Sequence, residues 1–270
     1  MKTVMNKTLL AAALTAALGV ASTSAMAVVF PDFTVNPSTY TSPALSPFVA
    51  DKITGNYAEW VSIVGTSFNV SILWNAGQFV KNDGATALFA STTGLNNSGG
   101  YGMYALFQGS GTVTPGVVTN FSLNPGGSLA VWIDPSLNTT FVNPVALQGQ
   151  NPWTTGGTTG SDDILIASGV GISGSGTLNT ACSGGIDCGS FGQTTGFGLT
   201  TLGKSFFTVP NPFYNVSFQS GQFNNFTPTG TQLINGSMDA VFGVPEPASL
   251  ALMGIGLMGL GLSVRRRKQA

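Results

Sequence analysis

Histidine is absent from this 270-residue chain, and charged residues make up only 7% of it, far below the quarter that is usual for soluble proteins. Histidine is the usual proton carrier near neutral pH, so its absence excludes Ser–His and Cys–His catalytic arrangements. With two cysteines and no histidine, the chain cannot complete an ordinary structural zinc site. We therefore expect a protein that is not an enzyme and that has no metal centre and no cofactor.

Carboxylates offer the one remaining route to catalysis, as in glycoside hydrolysis. Between Val28 and Gly243 the only glutamate is Glu59, so a carboxylate pair has to combine it with an aspartate. Asp162 and Asp163 are adjacent, and neighbouring residues on a strand point to opposite faces, which disfavours them as a catalytic pair. A secreted hydrolase that uses Glu59 is kept as an alternative.

The chain begins with the pattern of a secretory signal peptide. Lys2 and Lys7 form a basic region, Leu9 to Val20 is apolar, and Ala25-Met26-Ala27 is a small-x-small cleavage site. The sequence predicts passage through the Sec translocon and cleavage by signal peptidase after Ala27, so that residues 1–27 form a signal helix that is removed. The alternative, a first transmembrane helix, is disfavoured because the apolar run is too short.

The chain ends with three features in a fixed order. They are a turn, an apolar run of 17 residues and a basic cluster, made respectively by Pro245, Glu246 and Pro247, by Ala248 to Val264, and by Arg265, Arg266, Arg267 and Lys268. As a helix, the run would span roughly 25 Å, at the short end for the hydrocarbon core of a membrane. The basic cluster is expected to stay on the cytoplasmic side.

This order resembles the PEP-CTERM sorting signal of Gram-negative bacteria, over residues 244–270. The resemblance implies that an exosortase, a membrane protease of transpeptidase type, removes the tail after transient anchoring in the inner membrane. It also implies delivery to the cell surface and the extracellular matrix, in a setting of exopolysaccharide and biofilm. An ordinary C-terminal membrane anchor is the alternative interpretation.

Residues 28–243 are expected to form one all-β domain. They carry three lysines against nine acidic residues, a net charge of −6, so phosphate attraction will not draw nucleic acid to them. Short runs of alternating apolar and polar residues, bounded by Gly, Pro or Asn, predict strands. Gly65-Thr66 predicts a hairpin between Tyr57–Ile63 and Phe68–Trp74, and Tyr101–Phe107 is expected to pair with Val117–Leu123. Strands of this number and spacing predict a β-sandwich, jelly-roll-like or Ig-like, between the signal helix and a C-terminal transmembrane helix.

The two cysteines, Cys182 and Cys188, flank a Gly-rich stretch and lie six positions apart. In an oxidising compartment this spacing predicts a local disulfide. A ring of this size stabilises the fold by roughly 2 kcal/mol through loop entropy.

Loop carboxylates and exposed aromatic residues are the candidates for ligand contact. The aspartates beside Gly, Ser or Asn have the oxygen ligands that calcium prefers, but turn formation is the favoured interpretation; they are Asp134, Asp162, Asp163 and Asp187. Trp153 follows Pro152 in a Thr/Gly loop and is the strongest candidate for exposed glycan contact. Trp132 and Tyr101 also stand near turns, but Trp60, Trp74 and Trp132 are favoured as core residues on strands.

Four segments of the domain are similar to the flocculation-associated PEP-CTERM proteins: DKITGNY (51–57), SILWNAGQF (71–79), YGMYALFQGSG (101–111) and YNVSFQSGQ (214–222). The resemblance implies a role in floc formation, in which cells and extracellular polysaccharide aggregate, and it supplies no catalytic residue. We therefore expect an exported matrix protein that supports flocculation and biofilm formation by association with exopolysaccharide. The alternatives are a lectin-like carbohydrate-binding module and a self-assembling surface structural protein.

Overall fold

The computed structural model describes residues 30–144, 151–156, 160–179, 181–182, 188–221 and 227–243. The predicted signal helix and transmembrane helix lie outside these ranges, as do the cleavage residues Ala25 and Ala27 and the sorting residues 245–247 and 265–267. Within the described ranges, no helix combines the length and the apolar character that crossing a membrane requires.

Most of the described chain is extended. The strands are β1 (Phe33–Val35), β2 (Phe48–Ala50), β3 (Lys52–Val64), β4 (Ser67–Lys81), β5 (Thr86–Ala87), β6 (Gly102–Thr114), β7 (Val118–Leu123), β8 (Gly126–Asp134), β9 (Phe141–Val142), β10 (Thr154–Thr155), β11 (Ile164–Asn179), β12 (Gly189–Thr195), β13 (Gly198–Leu199), β14 (Phe207–Val209), β15 (Asn215–Ser220) and β16 (Gly230–Gly243). Three short helical segments accompany them: a 3-10 turn at Ser38–Tyr40 and α-helices at Ala90–Thr93 and Thr201–Phe206.

Eleven strands belong to one antiparallel sheet, which closes on itself. From β3 the pairings lead through β16, β15, β12 and β11 to β7 and β8, then to β6 and β4, and β4 returns to β3. β7 and β8 share one position, because β7 pairs with the C-terminal halves of β6 and β11 while β8 pairs with their N-terminal halves. The predicted all-β class is confirmed.

The sandwich prediction is not confirmed, because the pairing of β4 with β6 joins the strands into one continuous sheet where a jelly-roll or Ig-like sandwich has two. β4 is 15 residues long and pairs along one edge with β3 and along the other with β6. Strand spacing in the sequence reports which segments are extended, but it carries no information on such long-range pairing.

Alternation along the long strands fills the inside of the closed sheet with apolar side chains. In β3, for example, Ile53, Tyr57, Val61 and Ile63 are buried whereas Asn56 is exposed, as expected when residues i and i+2 share a face. Trp74 on β4 faces inward and donates its indole N–H to the Met238 carbonyl oxygen at 2.8 Å. Its ring fits because Gly55 on the neighbouring strand β3 has no side chain: a Cβ at position 55 would lie 2.5 Å from the Trp74 indole nitrogen.

One end of the molecule is closed by an aromatic cluster, here named the aromatic pole (Phe33, Phe197, Phe207, Phe213 and Phe242). Phe33 of β1 has its ring centroid 4.7 Å from that of Phe242, at the end of β16. The small sheet β14-β1-β2 brings the N-terminal segment to this position. The first and last parts of the described chain therefore pack against each other.

Candidate functional site

The junction between the domain and the C-terminal tail has no spacer. β16 extends to Gly243, which is still in register with Asn215 of β15, and Pro245 follows two positions later in the sequence. In sequence, the tail therefore starts directly after Phe242 and Gly243, at the end of β16.

The N-terminal end of the described chain lies at the same pole. The Tyr214 hydroxyl donates a hydrogen bond to the Asp32 carbonyl oxygen at 3.1 Å, and β1 is paired on both sides, with β14 and β2. Because the predicted cleavage site at Ala27 is five residues before Asp32, both expected processing sites are a short length of chain from one pole.

The predicted disulfide between Cys182 and Cys188 is present, with the two Cα atoms 5.6 Å apart. It closes the connection between β11 and β12, where the Asn179 amide donates to the Cys188 carbonyl oxygen at 2.6 Å. Asp187, one of the calcium candidates, lies outside the described residues.

The three described calcium candidates use their carboxylates to hold loops. Asp134 accepts hydrogen bonds from the amides of Ser136 and Thr139, and Asp163 accepts from the hydroxyls of Tyr104 and Thr139. Asp162 accepts from the Ser136 hydroxyl. These hydrogen bonds support the turn-forming interpretation. In the described part of the chain, no cluster of three or more acidic or cysteine side chains is arranged to hold a metal ion.

Trp153, which the sequence predicts to be exposed, is buried: only 7% of its surface is accessible. Its backbone amide donates to the Ser71 hydroxyl and its indole N–H to the Ser71 carbonyl oxygen, both at 3.1 Å. The sequence interpretation was wrong because residues 151–156 are not a free loop; β10 pairs with β9 and the segment lies on the outside of β4.

Trp153 is part of a second apolar cluster, on the outer surface of the closed sheet. We name it the outer aromatic face; its members are Trp60, Leu73, Tyr104, Leu106, Trp132, Phe141 and Trp153. The rings of Tyr104 and Trp132 are nearly parallel, at 10°, and Phe141 meets Tyr104 edge-on at 4.9 Å. Trp60 donates its indole N–H to the Asn143 side-chain oxygen.

Two of the tryptophans favoured as core residues therefore lie outside the main core. Trp74 is inside the closed sheet, as predicted, whereas Trp60 and Trp132 are only partly buried on the outer aromatic face. Tyr101, a candidate for exposed contact, has no accessible surface. The outward position of Trp60 could have been predicted from the alternation of side chains along β3. Trp60 is four positions after the exposed Asn56 and therefore lies on the same face of the strand.

Glu59 is inside the closed sheet, at the buried parity of β3. Its neighbours around a small internal cavity are apolar and include Val61, Phe191 and Ile234, and its Oε2 has no hydrogen-bond partner among the described residues. Burial raises the pKa of Glu59 to about 7. A polysaccharide chain cannot reach a carboxylate in this position, so the geometry does not support the hydrolase alternative based on Glu59.

Comparison with protein families identifies the C-terminal tail. The model of the PEP-CTERM protein-sorting motif matches residues 243–268, which confirms the predicted sorting signal. The match begins at the last residue of β16. No curated protein and no solved structure shows a significant match to the chain. The motif indicates exosortase-dependent export and sorting to the cell surface or the extracellular space.

Proposed function

We propose that this protein with a PEP-CTERM sorting motif is a non-enzymatic component of the extracellular matrix, which supports flocculation and biofilm formation by association with exopolysaccharide. The observation that carries the proposal is the sorting motif at residues 243–268, joined without a spacer to a closed β domain. The exosortase is the processing partner that the motif implies. The domain is the cargo that remains outside the cell.

The proposed route uses both ends of the chain. Sec-dependent export and signal peptidase release the N-terminus after Ala27, while the apolar run and its basic cluster hold the C-terminus in the inner membrane for a time. The contact between Phe33 and Phe242 supports this route. It places both ends of the described domain at one pole, so the domain can fold while both ends are near the membrane.

Two features support a binding role over a catalytic one. The outer aromatic face presents the partly buried rings of Trp60 and Trp132 beside the polar side chain of Asn143, a combination that suits the apolar faces and hydroxyl groups of sugars. The one glutamate of the domain, Glu59, is enclosed by the sheet. The net charge of −6 over residues 28–243 favours solubility outside the cell.

Deleting residues 244–270 in the producing bacterium tests the proposal. We expect the truncated protein to be lost from the cell surface and the cells to settle more slowly than wild-type cells, measured by surface immunolabelling and by floc sedimentation. The substitution Val117→Thr, at a residue that is 71% exposed, is the matched control and should leave both readouts unchanged. Normal delivery and normal flocculation without the tail would overturn the proposal; normal flocculation despite failed delivery would overturn its matrix role.

A further inference from the structure

A pocket of about 340 Å³ opens at the aromatic pole, and none of its lining residues belongs to the outer aromatic face. Its lining comes from one stretch of the chain, which runs from just before β13 to just before β15 and includes the helix Thr201–Phe206 and β14. The lining residues are Phe197, Gly198, Leu199, Lys204, Phe207, Thr208, Pro210, Asn211, Pro212 and Phe213. The volume is in the range of pockets that hold small molecules or single sugar units.

The apolar wall of the pocket is held in place by the core. The ring centroid of Phe207 is 4.9 Å from that of Phe213 and 5.9 Å from that of Phe197. Phe197 and Phe213 also contact Phe242, at 5.5 and 5.4 Å. Because these rings pack against the core on one side, the wall is preformed and a ligand does not have to order it.

Lys204 supplies the only charge in the lining. It is exposed in the last turn of the helix Thr201–Phe206, whose start is fixed by Thr200: the Thr200 hydroxyl accepts from the Gly203 amide at 3.0 Å and donates to the Leu165 carbonyl oxygen at 2.9 Å. Lys52 is paired with Asp239 at 2.9 Å. Lys204, by contrast, forms no ion pair with any carboxylate in the described ranges.

A cation in this position is unusual for the domain. Residues 28–243 contain three lysines, no arginine and nine acidic residues, yet the pocket lining contains a lysine and no carboxylate. A lysine that forms no ion pair within the described ranges shares this lining with aromatic rings and with Asn211. This combination is complementary to a ligand with one carboxylate, an apolar face and hydroxyl groups.

We propose that this pocket binds a uronate unit of an acidic polysaccharide. The Lys204 ammonium donates a charge-assisted hydrogen bond to the sugar carboxylate, the exposed side of Phe213 packs against the C–H face of the sugar ring, and the Asn211 amide bonds to a hydroxyl group. The inference rests on the proposed association with exopolysaccharide and gives that association a chemical class and a site.

The test uses the mature protein, purified from the producing bacterium, with sodium alginate as the acidic probe and dextran as the neutral probe. We expect binding to alginate and little binding to dextran, both measured at physiological ionic strength so that the overall net charge of −6 is screened. Lys204→Gln should bind alginate about tenfold more weakly, as the loss of one charge-assisted hydrogen bond predicts. Lys204→Arg should retain most of the affinity, and Lys81→Gln, which removes a lysine outside the pocket, should bind like wild type.

The outcomes separate this inference from the proposed function. Alginate binding that Lys204→Gln leaves unchanged would overturn the pocket assignment and leave the matrix role intact. Equal binding of dextran and alginate would overturn carboxylate recognition. A wild-type protein that binds neither polymer would overturn the pocket assignment, whereas the matrix role is decided separately by the deletion of residues 244–270. Lys204 is exposed, so the circular dichroism spectrum and the thermal unfolding midpoint of each variant should match the wild type and verify that it is folded.

Discussion

Glu59 shows how one residue can make a domain sensitive to pH. Its carboxyl group is enclosed by the sheet, and burial raises its pKa from an ordinary value of 4.5 to about 7, because the charged form has lost its hydration. Tyr57, two positions earlier on the same face, does not relieve this: its own pKa is raised by burial and by the charge of Glu59. The interior therefore favours a neutral Glu59.

The substitution Glu59→Gln should remove a pH dependence of stability. Between pH 4.5 and about 7 the folded state binds more protons at Glu59 than the unfolded state does, so the free energy of unfolding falls as pH rises through this window. The contribution is full below the unfolded pKa and is lost above the folded one. Relative to Glu59→Gln, the wild type should lose up to about 3 kcal/mol across the window, measured by urea unfolding at a series of pH values.

Wild type and Glu59→Gln contain the same other carboxylates. The contribution of those groups to the pH dependence of the unfolding free energy therefore cancels in the difference between the two proteins. A difference in unfolding free energy between wild type and Glu59→Gln that stays constant from pH 4.5 to 7.5 would show that Glu59 is not held neutral by burial. Asp83→Asn, at an exposed position, is the matched control for replacing a carboxyl group by an amide at the surface.

At the scale of elements, the segment that carries β9 and β10 acts as a cover for the outer aromatic face. Trp153 is its anchor, because it contacts Leu73 and Tyr104 and bonds twice to Ser71 of β4. Without this segment, Tyr104 and Leu73 would face water. The cover therefore controls how much of the aromatic surface is accessible.

Trp153→Ala should destabilise the domain by about 3 kcal/mol, as expected for removing a large buried ring. It should also expose Tyr104 and Leu73. Because Trp132 stacks on Tyr104, a red shift in the remaining tryptophan fluorescence and faster quenching by acrylamide would report the change. The control Val142→Thr changes a half-exposed residue of β9 in the same cover and should have little effect. If Trp153→Ala unfolds at the same urea concentration as wild type, the segment is not anchored as described.

The local elements were predictable from sequence, and the long-range pairings were not. The hairpin around Gly65 was predicted correctly, because positive φ at a glycine between two alternating runs is a local signal. Tyr101–Phe107 was paired with the wrong strand: β8, not β7, lies beside this half of β6, and β7 pairs only with Gly111–Thr114. The prediction that β6 and β7 are neighbours was correct, but the paired residues were wrong. β6 continues beyond Phe107 to Thr114, and only this C-terminal part pairs with β7.

In the candidate site, too, features set by neighbouring residues were predictable and features set by distant residues were not. The PEP-CTERM motif and the disulfide were predicted from residues close together in the sequence, and both are confirmed. The exposure of Trp153 was predicted wrongly, because its burial depends on Ser71, 82 positions earlier. The pocket around Lys204 had no sequence signal, since its aromatic wall is completed by packing against β1 and β16.

At the scale of the whole molecule, the first and last strands close the same pole. The ring centroid of Phe33 is 5.8 Å from that of Phe207 and 4.7 Å from that of Phe242. The N-terminal strand β1 and the C-terminal strand β16 therefore each need the other to complete their packing. The domain thus reaches its final packing only once β16, the last strand before the sorting motif, is in place.

Two truncations test where the domain ends. A mature chain that stops at Gly243 should unfold at the same urea concentration as the full mature domain, because β16 is complete. A chain that stops at Asp239 loses the pairs Ala240–Phe218, Val241–Ser217 and Phe242–Val216 and the aromatic contacts of Phe242. We expect it to be less stable by at least about 3 kcal/mol, from the Phe242 ring alone.

Loss of Phe242 should also loosen the opposite end of the chain. Phe33 would lose its nearest ring, and β1 would keep its pairing with β2 and β14 but lose its contact with the last strand. Limited proteolysis should therefore cut the Asp239 truncation within residues 30–50 much faster than the Gly243 truncation, with fragments identified by mass spectrometry. Equal rates of cleavage in the two chains would mean that the N-terminal segment does not depend on β16, and the coupling between the two ends would have to be abandoned.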